Sequence, residues 1–470
     1  MIFNEINNKY RVNKRKVILG AGESGVGAAL LAKAKGFDTF VSDKGAIADA
    51  HKKTLLENKI DFEEGKHSWD LILNADEVIK SPGISDHTDL ISELFEKGIP
   101  VISEIEFASR YTKAKFVAIT GTNGKTTTTL LTYHLLKKAG FNVGLAGNIG
   151  SSLAKQVIED EHDIYVLEIS SFQLDGNYNF KADIGILLNI TPDHLDRYEY
   201  DLNNYINSKF RITRNMTSED YFIYYDDPEV LRPEVEKRKV EATKLMISLT
   251  GEMETGAYLK DDHLVFKGFQ EGSENLTLPV SEIILKGKHN YINTMASVLA
   301  ARICGASDSI IREGLQDFKN APHRLELVAT IAGIQFINDS KATNVDSVYY
   351  ALESFKENLV WIAGGIDKGN NYDLINDFVR EKVKSLVCMG KDNSKLRKAF
   401  SGQVEKIIST DNMKEAVRQG FNAASPGDVV LLSPACASFD LFKNYEDRGR
   451  QFKDAVMELM NEQGSMNNEQ

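Results

Sequence analysis

The run Thr120-Gly121-Thr122-Asn123-Gly124-Lys125-Thr126-Thr127 directly follows the apolar Phe116-Val117-Ala118-Ile119. A strand that runs into a glycine-rich turn and then a helix aims backbone N–H groups at one point, where a phosphate anion is stabilised. Lys125 can reach the outer phosphates of a nucleotide, and the Thr126 hydroxyl can ligate Mg²⁺. The spacing is a shortened variant, because the usual first glycine would fall at position 119, which is Ile. Two further strand-like runs end in polar groups. Glu168 closes Ile164-Tyr165-Val166-Leu167, and Asn189-Ile190-Thr191-Pro192-Asp193-His194 follows the next apolar run. Ligands bind at the carboxyl ends of strands in open α/β sheets. Glu168 is therefore a candidate Mg²⁺ ligand, and His194 a hydrogen-bonding or metal-ligating imidazole. Lys209, in Tyr205-Ile206-Asn207-Ser208-Lys209-Phe210, reads from spacing as an ordinary solvated helix lysine.

A second glycine turn, Gly20-Ala21-Gly22-Glu23-Ser24-Gly25, separates the strand Val17-Ile18-Leu19 from an Ala/Leu-rich helix. An acid, Asp43, ends the next strand about 20 residues on, as in dinucleotide sites. A diphosphate on that helix N-terminus suits NAD and a nucleotide sugar equally, and tight packing alone would also explain the turn. Near the other end of the chain, three loops follow strands: Asp339 to Asn344, Gly364 to Gly369 and Ser433 to Asp440. They carry two Lys, hydroxyls and exposed amides, a set suited to a small molecule with one or two carboxylates.

The elements that must position these groups fall into three blocks: 1–103, 104–320 and 321–470. Each alternates strands with helices, which predicts parallel sheets covered on both faces. In the middle block, 219–285 contains short runs such as His263-Leu264-Val265-Phe266 and predicts a small antiparallel insertion. A helix is expected from Asn290 to Arg302, and the third block begins after Asn320-Ala321-Pro322. The polar tail from Asn461 to Gln470 is expected to be disordered.

Composition narrows the function classes. A net charge of −12 and the lack of a basic stripe argue against a nucleic-acid partner. Three cysteines are too few and odd in number for a disulfide framework. The first 16 residues lack a signal core, and no run of about 18 apolar residues exists to span a membrane. A cytoplasmic enzyme acting on small molecules, with no membrane insertion, is the expectation.

Taken together, these segments resemble the Mur ligase family. The resemblance runs from Gly20 to about Lys453. Gly121 to Thr127 resembles the family's ATP loop and accounts for its short spacing. Asn189 to Arg197, His289-Asn290-Tyr291-Ile292-Asn293 and Pro322-His323-Arg324-Leu325-Glu326 are similar to segments shared across the family. Glu168 to Leu174, Leu432 to Asp440 and Lys443 to Gly449 resemble its D-glutamate-adding branch. The resemblance implies an α/β chain of three domains: an N-terminal Rossmann-like domain for the UDP portion of the substrate, a central P-loop ATPase-like domain, and a C-terminal Rossmann-like domain for the amino acid. It implies an ATP- and Mg²⁺-dependent ligase, working as a monomer, that joins D-glutamate to UDP-N-acetylmuramoyl-L-alanine.

It also implies roles at matching positions. Ser24, Asp43, Lys44 and Gly83 would hold the UDP-sugar, with Asn148 and Gln173 on its sugar-peptide part. Gly121, Thr122, Asn123, Gly124, Lys125, Thr126 and Thr127 would cradle ATP, with Asn290, Asn293, Arg324 and Asp339. Thr126, Glu168 and His194 would surround Mg²⁺. Lys209 would join them as a carbamate, reversing its reading from spacing. Lys341, Thr343, Lys368, Ser438, Phe439 and Tyr445 would meet D-glutamate or the reacting phosphate. The chain departs from the family pattern at three places: Lys44-Gly45 stands where Thr-Arg is frequent, Phe439 where a smaller apolar residue is, and Tyr445 where Phe is.

Three rival readings explain less. An NAD-dependent dehydrogenase leaves the phosphate loop and the third block idle. A P-loop switch or transport ATPase acting through partners would turn over ATP without dependence on a UDP-sugar. A sister ligase adding L-alanine, a diamino acid or folate-linked glutamate lacks the match over 433–449.

Overall fold

The computed structural model describes residues 14–268, 274–367 and 369–466. Lys368, one of the predicted amino-acid contacts, lies outside the described residues. The chain divides into two compact units: Met1–Leu285 with Tyr291–Phe318, and Lys286–Asn290 with Lys319–Gln470.

The first unit holds two sheets. Its N-terminal strands are β1 (Arg15–Leu19), β2 (Asp38–Asp43), β3 (Asp61–Glu64), β4 (Glu77–Lys80) and β5 (Val101–Ile102). They pair in the order β3-β2-β1-β4-β5, all parallel. The order reverses at β1, so the Gly20–Gly25 turn opens into the crevice of the sheet. The second sheet starts with β6 (Lys115–Thr120), β7 (Val143–Gly147), β8 (Ile164–Glu168) and β9 (Ile184–Leu187). Here β6 lies between β9 and β8, which puts the phosphate loop at the second reversal. Val117, Ala118 and Ile119 of β6 are wholly buried, as expected of a parallel strand covered on both faces.

The expected insertion over 219–285 takes a different form. Strands β10 (Tyr221–Tyr225), β11 (Thr243–Ser248) and β12 (Gly256–Lys260) continue the same sheet in parallel from β9. Only β13 (His263–Lys267) and β14 (Leu276–Pro279) run antiparallel at the edge. The buried run Phe222-Ile223-Tyr224 sets side chains on both faces and needs cover on each, whereas β13 alternates buried Leu264 and Phe266 with more exposed neighbours. That alternation is the mark of an antiparallel strand with one face toward solvent.

The two sheets are joined by packing. Helix Glu23–Ala34 lies against the short helix Leu153–Gln156. At the crossing, Gly27 faces Ser152 so closely that a Cβ on residue 27 would occupy the space of the Ser152 hydroxyl. That hydroxyl donates to the buried Glu104 carboxylate at 2.7 Å, and the Ala154 N–H donates to the same oxygen at 2.6 Å.

The second unit holds β15 (Glu326–Ile331), β16 (Ile334–Asn338), β17 (Leu359–Ala363), β18 (Val383–Met389), β19 (Lys406–Thr410) and β20 (Val429–Leu432). Their order is β15-β16-β20-β17-β18-β19, parallel except for the β15–β16 hairpin. Trp361 is fully buried at the centre, and its indole N–H donates to the Ser433 carbonyl at 2.7 Å. The expected disordered tail is corrected in part. The last helix, Tyr445–Met466, carries through Asn461. Phe452, Val456 and Leu459 recur at helical spacing and bury one face, which holds the helix past its polar end.

Candidate functional site

The phosphate loop joins β6 to the helix Lys125–Lys138. Gly124 caps that helix with φ of 84°, and a Cβ there would strike the Asn293 carboxamide oxygen. Only glycine satisfies both constraints. The following loop braces this turn. The Asn123 N–H donates to Asn189 Oδ1 at 2.8 Å, and the Thr191 N–H to Thr122 Oγ1 at 3.0 Å. Thr126 and Thr127 are buried at the helix start. Lys125 Nζ donates to the carbonyls of Gly121 (2.9 Å) and Thr122 (2.8 Å), folded back over the loop it would serve.

Lys209 is not solvated. It is 1 % exposed, donates to Gly121 O at 2.8 Å, and stands 4.6 Å from the Tyr205 ring centroid. Burial, then the charge of Lys125, holds its ammonium well below the usual lysine range. Helical spacing alone cannot report this, because the burying partners come from distant loops.

Glu168 ends β8 and is 1 % exposed. Its Oε1 accepts from Asn148 Nδ2 at 2.8 Å, and its Oε2 is buried with no hydrogen-bond partner. A buried carboxylate oxygen left open in this way fits a cation. Among the described residues, no group of three or more His, Cys, Asp or Glu gathers as a ready metal cluster. His194 adopts a left-handed φ of 51°, with its ring half-exposed against Phe172.

A cleft of about 310 Å³ collects Gly83, Lys125, Asn148, His194 and Lys209 along one wall system. The other predicted UDP-sugar residues sit elsewhere on the first unit. Asp43, at the end of β2, accepts from the N–H groups of Ala21 (2.7 Å) and Gly45 (2.8 Å), so it braces the glycine turn. Ser24 lies in the first turn of its helix and Lys44 is exposed. Gln173 is buried, and its carboxamide oxygen accepts from Ser170 N and Oγ, both at 3.0 Å, as a helix cap.

In the second unit, β16, β20 and β17 are neighbours, so the three predicted loops emerge side by side. Asp339 is buried and accepts from Ser433 Oγ at 2.8 Å. Burial lifts its carboxyl to about 7 against the pull of Ser433 and Arg324. Lys341 Nζ lies 5.3 Å from the Tyr445 ring centroid. Ser438 is buried, while Thr343 and Phe439 are exposed. Asn290 belongs to this unit, with its amide on Lys286 O at 2.8 Å, whereas Asn293 belongs to the first.

Two arginines were missed by sequence reasoning. Arg448 is fully buried and donates to Ser340 O at 2.8 Å, Cys436 O at 3.1 Å and Gly364 O at 3.4 Å, one carbonyl for each loop, and to Ser340 Oγ at 3.0 Å. Arg197 donates to the carbonyls of Pro82, Gly83 and Ile84 at 3.3 to 3.4 Å and stacks 4.4 Å from the Phe172 centroid. Both lie inside the motifs quoted above, but an arginine within a polar motif reads as a surface cation.

Comparison with known proteins covers most of the chain. Residues 15–90 match the MurD N-terminal domain, 119–301 the Mur ligase middle domain, and 323–436 the Mur ligase glutamate ligase domain. The chain is 51 % identical over 448 residues to the UDP-N-acetylmuramoylalanine--D-glutamate ligase of Christiangramia forsetii, covering 95 % of this chain and 100 % of the relative. It is 52 % identical over 453 residues to the protein of the same name from Bacteroides fragilis, again covering 95 % and 100 %. Among solved structures, a pseudomurein peptide ligase type C from Methanothermus fervidus shares the fold with a TM-score of 0.60 at 19 % identity, covering 95 % of this chain and 100 % of that one. UDP-N-acetylmuramate-alanine ligase from Thermotoga maritima gives 0.58 at 18 % identity, covering 95 % and 99 %.

Proposed function

The chain belongs to the Mur ligase family, and from that premise we propose that its two units carry out one amide-bond-forming reaction. It is an ATP-dependent ligase of peptidoglycan synthesis that adds D-glutamate to UDP-N-acetylmuramoyl-L-alanine. The observation that carries this reading is the identity of about half the residues, over nearly the whole chain, with relatives of that name. Among the described residues no helix is long and apolar enough to cross a membrane. A cytoplasmic, monomeric enzyme with a domain each for the UDP-sugar, ATP and amino acid suits such small, charged substrates.

A carboxylate does not acylate an amine, because oxide is a poor leaving group. Transfer of the γ-phosphoryl group of ATP to the L-alanyl carboxylate yields ADP and an acyl phosphate. The D-glutamate amine then attacks the acyl carbon, phosphate leaves, and the amine sheds a proton. Both reactants of the first step are anions, so catalysis is chiefly positioning and charge stabilisation. Lys125, released from Gly121 and Thr122, supplies a cation at the transferring phosphate. Thr126, Glu168, His194 and a carbamylated Lys209 would hold Mg²⁺, with the open Glu168 Oε2 as the observation in its favour. When bound, Mg²⁺ neutralises phosphate charge. The neutral amine that burial favours at Lys209 is the form that adds to CO₂. Nitrogen bonds the carbon, a proton leaves to solvent, and the former cation becomes an anionic ligand.

In the second unit, Lys341, Thr343, Lys368, Ser438, Phe439 and Tyr445 take D-glutamate, and Arg324 and Asp339, with Asn290, take the nucleotide. The adjacency of their loops supports the grouping. The test is phosphate release from ATP with UDP-N-acetylmuramoyl-L-alanine, with D-glutamate present or replaced by L-glutamate, L-alanine or a diamino acid. Release that requires both the UDP-sugar and D-glutamate is expected. Release with another amino acid would move the chain to a sister specificity.

A further inference from the structure

Beside the glycine turn of the first sheet lies a polar relay that the reaction above does not use. Ser42 of β2 pairs in register with Glu63 of β3. The Ser42 hydroxyl donates to Glu63 Oε1 at 2.7 Å and also stands 2.7 Å from His67 Nδ1. Glu63 further accepts from Ser68 N (2.7 Å) and Ser68 Oγ (2.6 Å). Burial works against its charge, but these donors hold the carboxyl below the usual range, so it is an ionised acceptor. A hydroxyl has a single proton. Ser42 spends it on Glu63, so the contact with the imidazole must run from His67 Nδ1–H to Ser42 Oγ.

That direction fixes the ring. Burial lowers the pKa of His67, so the ring is neutral near pH 7. Its proton then sits on Nδ1 and its lone pair on Nε2. Among the described residues Nε2 has no hydrogen-bond partner. The imidazole stands just after β3, on a turn whose Gly65 N–H donates to Gly45 O at 3.0 Å. Asp43 and Lys44 lie within electrostatic reach of it. Asp43, at the usual position of a ribose-binding acid, already accepts from two backbone N–H groups. The histidine is the neighbouring acceptor with capacity left, and a neutral one does not repel a diphosphate.

We propose that His67 Nε2 accepts a hydrogen bond from the uridine half of the UDP-sugar, either from a ribose hydroxyl or from the uracil imide N–H. The proposal rests on reading the first sheet as the UDP-substrate face. Ser42 and Glu63 are positioning residues that select the tautomer.

The test is titration calorimetry of the full chain with UDP, 2′-deoxy-UDP and 3-methyl-UDP, on wild type, His67→Ala and His67→Gln. Loss of one neutral hydrogen bond weakens UDP about tenfold in His67→Ala, with ATP affinity unchanged as the control for folding. His67→Gln, which keeps an acceptor, recovers part of the loss. One analogue shows the same penalty on wild type and none on His67→Ala, and identifies the donor. Equal UDP affinity in wild type and His67→Ala overturns the proposal and leaves the first-sheet assignment standing. No UDP binding to wild type, with phosphate release indifferent to the UDP-sugar, overturns both. Histidine ¹⁵N spectra of the wild type give a check without substitution: a pyridine-type signal at Nε2 that moves with UDP supports the proposal, and one at Nδ1 overturns it.

Discussion

Lys125 and Lys209 donate to the same carbonyl oxygen, that of Gly121, at 2.9 and 2.8 Å. Two ammonium groups converging on one dipole repel each other, and the buried one yields its proton more readily. On the reaction proposed above, Lys125 is the cation for phosphate and Lys209 the amine for carbamylation.

Lys125→Ala is expected to abolish ATP turnover, read as phosphate release. Lys209→Ala is expected to lose activity that added bicarbonate does not restore. With ¹³C-bicarbonate, wild type should show a carbamate carbon signal that Lys209→Arg lacks. Full activity in Lys209→Ala would remove the lysine from the mechanism.

Gly124→Ala places a methyl group on the Asn293 carboxamide at a φ that L-residues avoid. The backbone cost is about 1–2 kcal/mol, and the displaced turn should lose ATP affinity at least tenfold. Asn293→Ala in the same chain opens space for the methyl and should recover part of the stability, measured by chemical denaturation. No recovery would mean that the φ strain alone sets the cost.

Asp339 has its carboxyl raised from 3.8 to about 7 by burial. The folded state therefore binds a proton that the unfolded chain has released. The stability linked to that proton is complete below about pH 4 and is lost as pH rises through about 7. Wild type should lose on the order of a few kcal/mol relative to Asp339→Asn across that window. Thermal melting of both proteins at pH 5 and pH 8 checks the sign.

Arg448 touches one carbonyl on each of three strand-end loops. Lysine cannot reproduce the fork of donors. Arg448→Lys should raise the KM for D-glutamate about tenfold, with the KM for UDP-N-acetylmuramoyl-L-alanine unchanged, in steady-state kinetics.

The parallel strands were legible because Val, Ile and Leu runs such as 116–119 and 359–363 have few alternatives to full burial. Strand β7 was not, since Val143-Gly144-Leu145-Ala146-Gly147 lacks the β-branched density that marks its neighbours. The insertion was misjudged because alternation at 263–267 was extended to 221–225 and 243–248, whose continuous apolar pattern belongs to a covered sheet. The strand–turn–helix around Gly121–Thr127 and the place of Glu168 at a strand end could be read from residue type and spacing. The burial of Lys209, the relay at His67 and the reach of Arg448 depend on partners brought together by the fold, and local spacing carries no trace of them.

The contact between Gly27 and Ser152 ties the history of two distant positions. Any lineage that enlarges residue 27 must first shrink residue 152 to glycine, since the Ser152 Cβ itself stands in the way, and Glu104 then loses a donor it holds at 2.7 Å. The buried acid then keeps only the Ala154 N–H of these two donors. The three positions can therefore change only together, and swapping the first 100 residues between distant relatives should fail there before it fails at any ligand.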